Sequence, residues 1–271
     1  MHRRPLLAAA LALLAAPALL VGCGDPPGGS GGAGGSGGAG GGGRVVVVGT
    51  EPTFPPFEMK DADGVTTVGF DVDLFEAIAA DRGFTPEFRD LGFDALIPAL
   101  SSGRIDVALS AMSITPERAQ SVDFTDPYHE AGLVVAVRPG SGVRSVGDLA
   151  GERVGVNIGT TGAAAAEALL AEGRIGGVET FQNVGLSMEA LVAGKVAAVI
   201  NDRPVSASYA ASRPDRIQIL PGVLAADSYG MAVRKGNAEL LTELNAGLAS
   251  VKASGELAEI EARWLGDAGA E

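Results

Sequence analysis

The pattern of apolar and polar residues alternates between short apolar runs and segments with helical spacing. Val45 to Val48 form a β-branched run, which is typical of a buried parallel strand. Apolar residues then recur at helical spacing from Leu74 to Ala79 and predict a helix. Asp71 or Asp73 would N-cap this helix, and Gly83 would end it.

Further elements continue this alternation towards residue 110. We predict a strand at 85–89, a helix at 94–102 with Gly103 beyond its end, and a strand at 105–110. Strands that alternate with helices favour an α/β fold, in which crossover helices join neighbouring strands of a sheet.

One pattern occurs twice, since residues 98–108 and 189–199 both combine a helix end, a glycine and an apolar strand. Such units are common in α/β proteins, so the repeat has an ordinary explanation. The alternative is a pair of similar lobes, each with polar residues at the carboxyl end of a strand, where open α/β sheets bind ligands. Extended apolar segments at 132–137 and 230–233 are then predicted to cross between the lobes.

The first residues have the pattern of a secretory signal peptide. An apolar stretch of about 16 residues follows a short basic start, and roughly 20 are needed to span a bilayer. The ending Leu-Val-Gly-Cys at residues 20–23 resembles a bacterial lipobox, whose cysteine is lipidated after cleavage. The alternative is ordinary cleavage that leaves Cys23 as a free thiol. Residues 23–43 are rich in glycine and predict a flexible tether.

Charge and composition exclude several classes of partner. The net charge of −13 argues against nucleic acid, because phosphate backbones are bound by cationic patches. Cys23 is the only cysteine, which excludes an intrachain disulfide and a thiolate metal site. His2 and His129 are the only histidines, and His2 leaves with the signal peptide. We therefore expect neither a metal nor a cofactor.

A zwitterionic ligand such as a free amino acid needs a cation for its carboxylate and an anion for its ammonium group, because unpaired buried charges are costly. Arg118 is the candidate cation, since a guanidinium matches a carboxylate bidentately. Thr115 and Pro116 suit the start of a helix, whose N-terminus would also favour an anion. The alternative for Arg118 is a surface salt bridge with Glu117.

The second half of the chain supplies further candidates. The turn at 159–162, which contains Thr161, precedes an alanine-rich helix at 163–171 and offers N–H groups and hydroxyls to an anion. The alternative is a plain helix start capped by threonine. Asp202 follows the apolar strand at 196–200 and suits an ammonium group, or else it is a turn residue before Pro204.

Three residues of the first half suit the side chain of such a ligand. Phe54 and Phe93 follow strand ends and are candidates to flank a flat or apolar group, or else they belong to the core. Glu51 lies in the same loop as Phe54 and suits a polar or cationic group, or else it is a solvated loop acid.

Several motifs together resemble the family 3 periplasmic solute-binding proteins, the amino-acid receptors of ABC importers. The segment at 69–74 is similar to the family signature, and the other matches are at residues 93–100, 113–118, 122–128, 159–162 and 229–236 and around Trp264. The resemblance covers residues 44–271 and implies a two-lobed α/β fold of the periplasmic-binding-protein type II, with two hinge strands and a ligand cleft between the lobes. We expect lobe 1 at 44–134 and 230–271 and lobe 2 at 135–229.

The resemblance also implies roles for individual residues. Arg118 would bind the α-carboxylate with Ser113 and Thr161, and Asp202 would bind the α-ammonium group with the backbone near Ala111. Phe54 and Phe93 would flank the side chain. The positions that vary with specificity would be Glu51, Ser110, Asn157 and Asn201. Ala111 departs from the glycine or serine that is usual there, and Glu51 departs from the more usual aspartate.

By this resemblance the protein captures one amino acid by closure of its lobes and delivers it to an ABC permease, without chemistry on the ligand. Glu51, with Asp71 nearby, favours a polar or basic side chain. We expect a monomer that a lipid on Cys23 anchors to the membrane, on the periplasmic side or outer face. The alternatives are a periplasmic dehydratase acting on prephenate or arogenate, with Glu51 as an acid–base candidate, and a ligand-sensing lipoprotein.

Overall fold

The computed structural model describes residues 43–266. The predicted signal peptide at 1–22, Cys23 and the tether up to residue 42 lie outside this range. Within it, no helix is both long and apolar enough to cross a membrane.

The first part of the chain forms seven strands and two helices. In chain order they are β1 (Arg44–Thr50), β2 (Thr53–Phe54), β3 (Glu58–Lys60), β4 (Thr67–Val68), α1 (Phe70–Arg82), β5 (Phe84–Asp90), α2 (Phe93–Ser101), β6 (Val107–Ala108) and β7 (Val122–Phe124). A single 3₁₀ turn at Arg118–Gln120 precedes β7.

The middle part contributes six strands and three helices. They are β8 (His129–Val137), β9 (Arg153–Asn157), α3 (Thr161–Ala171), β10 (Gly177–Phe181), α4 (Val184–Val192), β11 (Ala198–Asp202), α5 (Arg203–Ser212), β12 (Gln218–Ile219) and β13 (Ala225–Tyr229). A 3₁₀ turn at Val146–Leu149 follows β8. The chain ends with β14 (Ala232–Arg234), α6 (Ala238–Ser254) and α7 (Glu256–Trp264).

These strands form two main sheets, one for each lobe. The sheet of lobe 1 has the order β5-β1-β6-β14-β7, and the sheet of lobe 2 has the order β10-β9-β11-β8-β12, with β13 also paired to β8. In lobe 1, β1 runs parallel to both β5 and β6, whereas β14 is antiparallel to β6 and β7. In lobe 2, β9 runs parallel to β10 and β11, and β8 is antiparallel to its neighbours. The two-lobed α/β fold class is therefore confirmed.

The glycine-ended helices form as the sequence predicts. Gly83 adopts a left-handed conformation with φ of 72° and ends α1 by donating its N–H to Ala79. Gly103 and Gly194, the two glycines of the repeated pattern, have φ of 71° and 75°. Each donates its N–H to the carbonyl three residues earlier, at 3.1 Å and 3.0 Å. The two halves of the repeat thus share one backbone geometry.

Three local predictions are wrong. The predicted strand at 105–110 is paired only at Val107–Ala108, because the chain turns into the site after residue 108. The predicted helix after Thr115 is only the 3₁₀ turn, in which the Thr115 hydroxyl accepts the N–H of Arg118 at 3.1 Å. Asp71 does not cap α1, whose N-cap is Gly69, and instead lies buried in its first turn.

The crossings between the lobes are short and lie side by side. Residues 129–134, which we assigned to lobe 1, pair along β8 with strands of the second sheet, so the first crossing comes before His129. The second crossing, at 230–231, lies within the predicted segment. Thr125 donates its N–H to Met231 and Tyr128 donates to Tyr229, both at 2.9 Å, which joins the crossings to each other.

The C-terminal helices pack on lobe 1 against α1. Gly247 of α6 allows this approach, because a Cβ atom at this position would lie 2.7 Å from the side chain of Ile78. The indole N–H of Trp264 donates to Asp73 at 2.7 Å, and this bond ties the end of the described chain to the start of α1.

Candidate functional site

A pocket of about 280 Å³ lies where strand ends of the two sheets face each other. Nine of its twelve lining residues are polar or charged, in contrast to the apolar cores of the lobes. It is lined by Glu51, Phe54, Glu58, Phe93, Ser110, Ala111, Ser113, Arg118, Asn157, Thr160, Thr161 and Asp202. Ten of the eleven residues that the sequence predicts for ligand binding line this pocket. The eleventh, Asn201, is buried beside it in β11, and its Nδ2 atom has no hydrogen-bond partner among the described residues.

Arg118 connects the two lobes from the edge of the pocket. Its guanidinium donates to the carbonyl of Ser113 at 2.7 Å and, across the gap, to the carbonyl of Gly159 at 3.0 Å. The guanidinium carbon also lies 5.1 Å from the centre of the Phe93 ring, a favourable cation–π distance. Burial lowers the pKa of Arg118, and the negative charges of Asp227 and Asp202 oppose this shift. Arg118 makes no salt bridge within residues 43–266, so the alternative of a surface pair with Glu117 is not realised there.

Two hydroxyl groups meet across the pocket beside Arg118. Ser113 Oγ and Thr161 Oγ1 are 3.3 Å apart. Thr161 opens α3, whose N-cap is Thr160, and the Thr160 hydroxyl accepts the N–H of Ala163 at 3.1 Å. Thr161 Oγ1 also donates to Asp227 of β13 at 3.1 Å. Hydroxyls and a cation from different lobes therefore converge on one end of the pocket.

Asp202 is the buried acid of lobe 2. It stands at the N-cap of α5 but its carboxylate makes no capping bond, and its Oδ1 has no partner in the described part of the chain. Burial, with a further contribution from the charge of Asp227, raises the pKa of Asp202 to about 7, and the neighbouring Tyr229 hydroxyl and the charge of Arg118 partly oppose this. A turn aspartate would be solvated or would cap the helix. A buried carboxylate with one unpaired oxygen is instead typical of a site that receives a cation.

Glu51 and Asn157 form a further contact across the gap. Asn157 Nδ2 donates to Glu51 Oε2 at 3.1 Å, while the other amide atom, Oδ1, has no partner in residues 43–266. Glu51 is 5% exposed, which excludes the solvated-loop alternative. Burial raises the pKa of Glu51 to about 7, and the bond from Asn157 only partly offsets this. Phe54 is buried, Phe93 begins α2, and both residues line the pocket.

Ser110 and Ala111 form the floor of the pocket in lobe 1. The Ser110 hydroxyl accepts the N–H of Glu51 at 3.1 Å and donates to Glu58 at 2.8 Å. Ala111 has φ of 45°, a left-handed conformation that alanine rarely adopts. Its N–H donates to Asp71 Oδ2 at 2.8 Å.

The sequence did not single out Glu58, Thr160 or Asp227 as site residues. Thr160 belongs to the predicted turn and could have been chosen with Thr161. Glu58 follows two prolines and a phenylalanine, and nothing in that pattern reveals that its carboxyl group is buried. Asp227 lies three residues before the predicted second crossing. This position near the boundary between the lobes is the sequence signal that could have identified it as a site residue.

The described residues contain no group of three or more histidine, cysteine, aspartate or glutamate side chains that could hold a metal ion. His129, the one histidine in this range, packs against Phe57 and Tyr229. Burial lowers its pKa to about 4, so it is neutral near pH 7.

The comparisons with known proteins agree with this geometry. The model of the bacterial extracellular solute-binding proteins, family 3, matches residues 46–267. The probable histidine-binding protein of Neisseria gonorrhoeae is 37% identical over 232 residues, which cover 84% of this chain and 85% of that protein. An ancestral arginine-binding protein bound to arginine has 41% identity and a TM-score of 0.78, over 82% of this chain and 98% of that chain.

A further structural neighbour bears on the enzyme alternative. It is an ancestral amino acid-binding protein described as a precursor of cyclohexadienyl dehydratase, with 34% identity, a TM-score of 0.75 and coverage of 82% of this chain and 95% of that chain. All three proteins are named as binding proteins, including this precursor of an enzyme.

Proposed function

The chain belongs to the bacterial extracellular solute-binding proteins of family 3, and from this premise we propose that it binds a cationic amino acid between its lobes for delivery to an ABC importer. The observation that carries this proposal is one pocket lined by the half-buried cation of Arg118 and by the buried carboxyl groups of Glu51 and Asp202. A cationic amino acid has one negative and two positive groups, and this pocket has a partner for each of them.

The carboxylate end of the ligand is proposed to bind at Arg118. Its guanidinium, already desolvated by burial, can form charge-assisted bonds that are about twice as strong as neutral ones. The hydroxyls of Ser113 and Thr161 lie beside it and come from opposite lobes. A carboxylate here would therefore bond to both lobes at once.

The ammonium group is proposed to bind at Asp202, with the backbone near Ala111. An ammonium group would supply the donor that Asp202 Oδ1 lacks and would compensate the charge that burial disfavours. Asp227 adds a second negative charge near this end of the pocket.

The ligand side chain is proposed to reach Glu51, between Phe54 and Phe93. A cation there would pair with a buried carboxylate and stack on aromatic faces. The free Oδ1 of Asn157 would accept a further N–H of the same group. The histidine- and arginine-binding relatives support a cationic side chain. The acceptors Glu51 and Asn157 Oδ1 favour arginine, because a guanidinium offers several N–H donors.

Binding is proposed to stabilise the closed arrangement of the lobes without chemistry on the ligand. A ligand that contacts both lobes favours the closed state by its differential affinity for that state. The Glu51–Asn157 and Arg118–Gly159 bonds already cross the gap and would be joined by bonds to the ligand.

The test is isothermal titration with each of the twenty amino acids. We expect one or a few cationic amino acids to bind. Arg118→Ala should weaken binding by at least about 100-fold, because one partner of a buried charge pair is lost. Arg89→Ala is the matched control, since Arg89 is exposed and pairs with Glu87 outside the pocket. Normal binding by Arg118→Ala would refute the carboxylate role.

The sequence adds proposals about location and assembly. We propose that a signal peptide directs export, that Cys23 carries the lipid anchor and that the binding unit is a monomer without nucleic-acid partners. Incorporation of labelled palmitate into the native chain but not into Cys23→Ser would support the anchor. Equal labelling of both would contradict it.

The enzyme alternative is kept because the named precursor of a dehydratase shares the fold. The carboxyl group of Glu51, with its pKa of about 7, is the group suited to general acid catalysis. Incubation with prephenate or arogenate should leave both unchanged if the protein only binds. Formation of an aromatic product that is lost in Glu51→Gln would instead establish catalysis.

A further inference from the structure

Two buried carboxyl groups, one in the pocket wall and one behind it, are not used by the proposed ligand contacts. Glu58 of β3 and Asp71 of α1 are 0% and 1% exposed. Their side chains are within hydrogen-bonding contact of each other. Glu58 Oε2 and Asp71 Oδ1 are buried oxygens that no donor within residues 43–266 satisfies.

The hydroxyl of Ser110 determines which oxygen of Glu58 can carry a proton. This hydroxyl accepts the N–H of Glu51, so its single hydrogen is free to point towards Glu58 Oε1, 2.8 Å away. Glu58 Oε1 is then an acceptor. A proton on Glu58 must consequently lie on Oε2, the oxygen that lacks a donor.

Asp71 shows the complementary arrangement. Its Oδ2 accepts two hydrogen bonds, from the N–H of Ala111 at 2.8 Å and from the Tyr128 hydroxyl at 3.0 Å. Its Oδ1 accepts none. Burial raises the pKa of Asp71 to about 7, and the two donors on one oxygen oppose this shift by stabilising the ionised form. The free oxygen is therefore the one that can accept the proton of Glu58.

The surrounding charges exclude a doubly ionised pair. The titratable groups near the two acids are Glu51, Tyr128 and Tyr229, which are acidic, and no salt bridge of the described chain involves Glu58 or Asp71. Two adjacent carboxylates without a cation would be strongly disfavoured in this dry site. Burial and mutual repulsion raise the pKa of Glu58 well above its usual range.

We propose that Glu58 and Asp71 share one proton and together act as positioning residues that hold Ser110 and Ala111 in the shape that the ligand requires. Asp71 fixes the N–H of Ala111, the one residue other than glycine with a positive φ in the described chain. Glu58 fixes the Ser110 hydroxyl, which in turn fixes the backbone of Glu51. Tyr128 extends the same network to the first crossing between the lobes.

The shared proton is tested with amide variants of the two acids. In Glu58→Gln the new N–H group can replace the proton, and in Asp71→Asn the new amide can donate to an ionised Glu58. In the double variant two N–H₂ groups face each other, and the contact has no acceptor. We expect the double variant to lose ligand affinity by more than about ten-fold beyond the product of the two single losses. Multiplicative losses would overturn the shared proton.

The positioning role is tested through the strained residue itself. Asp71→Ala removes the acceptor that holds Ala111, and glycine adopts a positive φ without the cost that alanine has. We therefore expect Asp71→Ala to weaken binding several-fold less when it is made in Ala111→Gly than when it is made in the native chain. An equal loss in both backgrounds would mean that Asp71 only stabilises the fold.

The inference rests on the proposed amino-acid function for its binding readout, so a measurement without ligand separates the two. At about pH 9, Glu51 and Asp202 are ionised because their pKa values are about 7. The infrared spectrum of the ligand-free protein should still contain the carbonyl band of a protonated carboxylic acid, and Glu58→Gln should remove it. Absence of this band from the native protein would overturn the inference whether or not the protein binds amino acids, and the measurement does not require the Asp71 variants to fold.

Discussion

The two halves of the pocket come from equivalent backbone units but satisfy their polar groups differently. In lobe 1, the chain that follows Gly103 ends at Ser110 and Ala111, whose polar atoms are bonded to Glu58 and Asp71. In lobe 2, the chain that follows Gly194 ends at Asn201 and Asp202, and each has a buried side-chain atom without a partner in the described chain.

Because of this difference, we expect the two lobes to contribute differently to stability and to ligand binding. With the shared proton that we propose, the polar groups of the lobe 1 floor have internal partners, and we expect this floor to be organised before a ligand arrives. The wall in lobe 2 has unmet donors and acceptors, which are costly until a ligand satisfies them. Substitutions in lobe 1 should therefore lower stability as well as affinity, whereas substitutions in lobe 2 should lower affinity alone.

The largest expected effect is that of Asp202→Asn. We expect ligand affinity to fall by at least about 100-fold, because the ammonium group loses its buried counter-charge. The pKa of Asp202 in the folded state, about 7, is above its unfolded value, so its ionisation destabilises the native state as pH rises through 7. Thermal unfolding without ligand at about pH 8 should consequently show that Asp202→Asn is no less stable than the native protein. A marked loss of stability would remove the contrast between the lobes.

The next effect is the pH dependence of binding. Asp202 and Glu51 both have pKa values of about 7 without ligand and must be ionised to bind positive groups. Affinity should therefore fall as pH decreases below 7, by about ten-fold for each group between pH 8 and pH 6. Titration calorimetry should show this fall, and Glu51→Gln should remove about half of it on a logarithmic scale. A flat profile would contradict the assigned charges.

The smallest effect should be that of Ser110→Ala in lobe 1. This change leaves the N–H of Glu51 without its acceptor and one oxygen of Glu58 without its donor. We expect the free energy of unfolding without ligand to decrease by about 1–3 kcal/mol, with a several-fold loss of affinity. Urea unfolding measures the first quantity. Unchanged stability would mean that the lobe 1 floor is not organised in advance.

Sequence patterns predicted the architecture well because it depends on local signals. Local sequence determines these features of the backbone. Examples are the strand at Val45–Val48, the helix end at Gly83 and the paired glycines 103 and 194. The site residues were found through motifs, and the roles assigned to them stay predictions until binding is measured.

The features that the sequence did not predict depend on contacts between residues that are distant along the chain. Asp71 has the spacing of a helix cap, but its partners Ala111 and Tyr128 are 40 and 57 positions away, and they direct it inward. Thr115 and Pro116 suit a helix start, yet the chain forms only one turn before β7. The burial of Glu58 likewise follows from tertiary packing that no local pattern encodes.

The paired crossings between the lobes have a mechanical consequence. Thr125 and Met231 bond to each other through both of their N–H groups, at 2.9 Å and 3.0 Å, which joins the two crossings. We therefore expect the two crossings to bend together when the lobes move. The angle between the lobes would then depend on the size of the bound ligand. A protein that touches both lobes would respond to that angle.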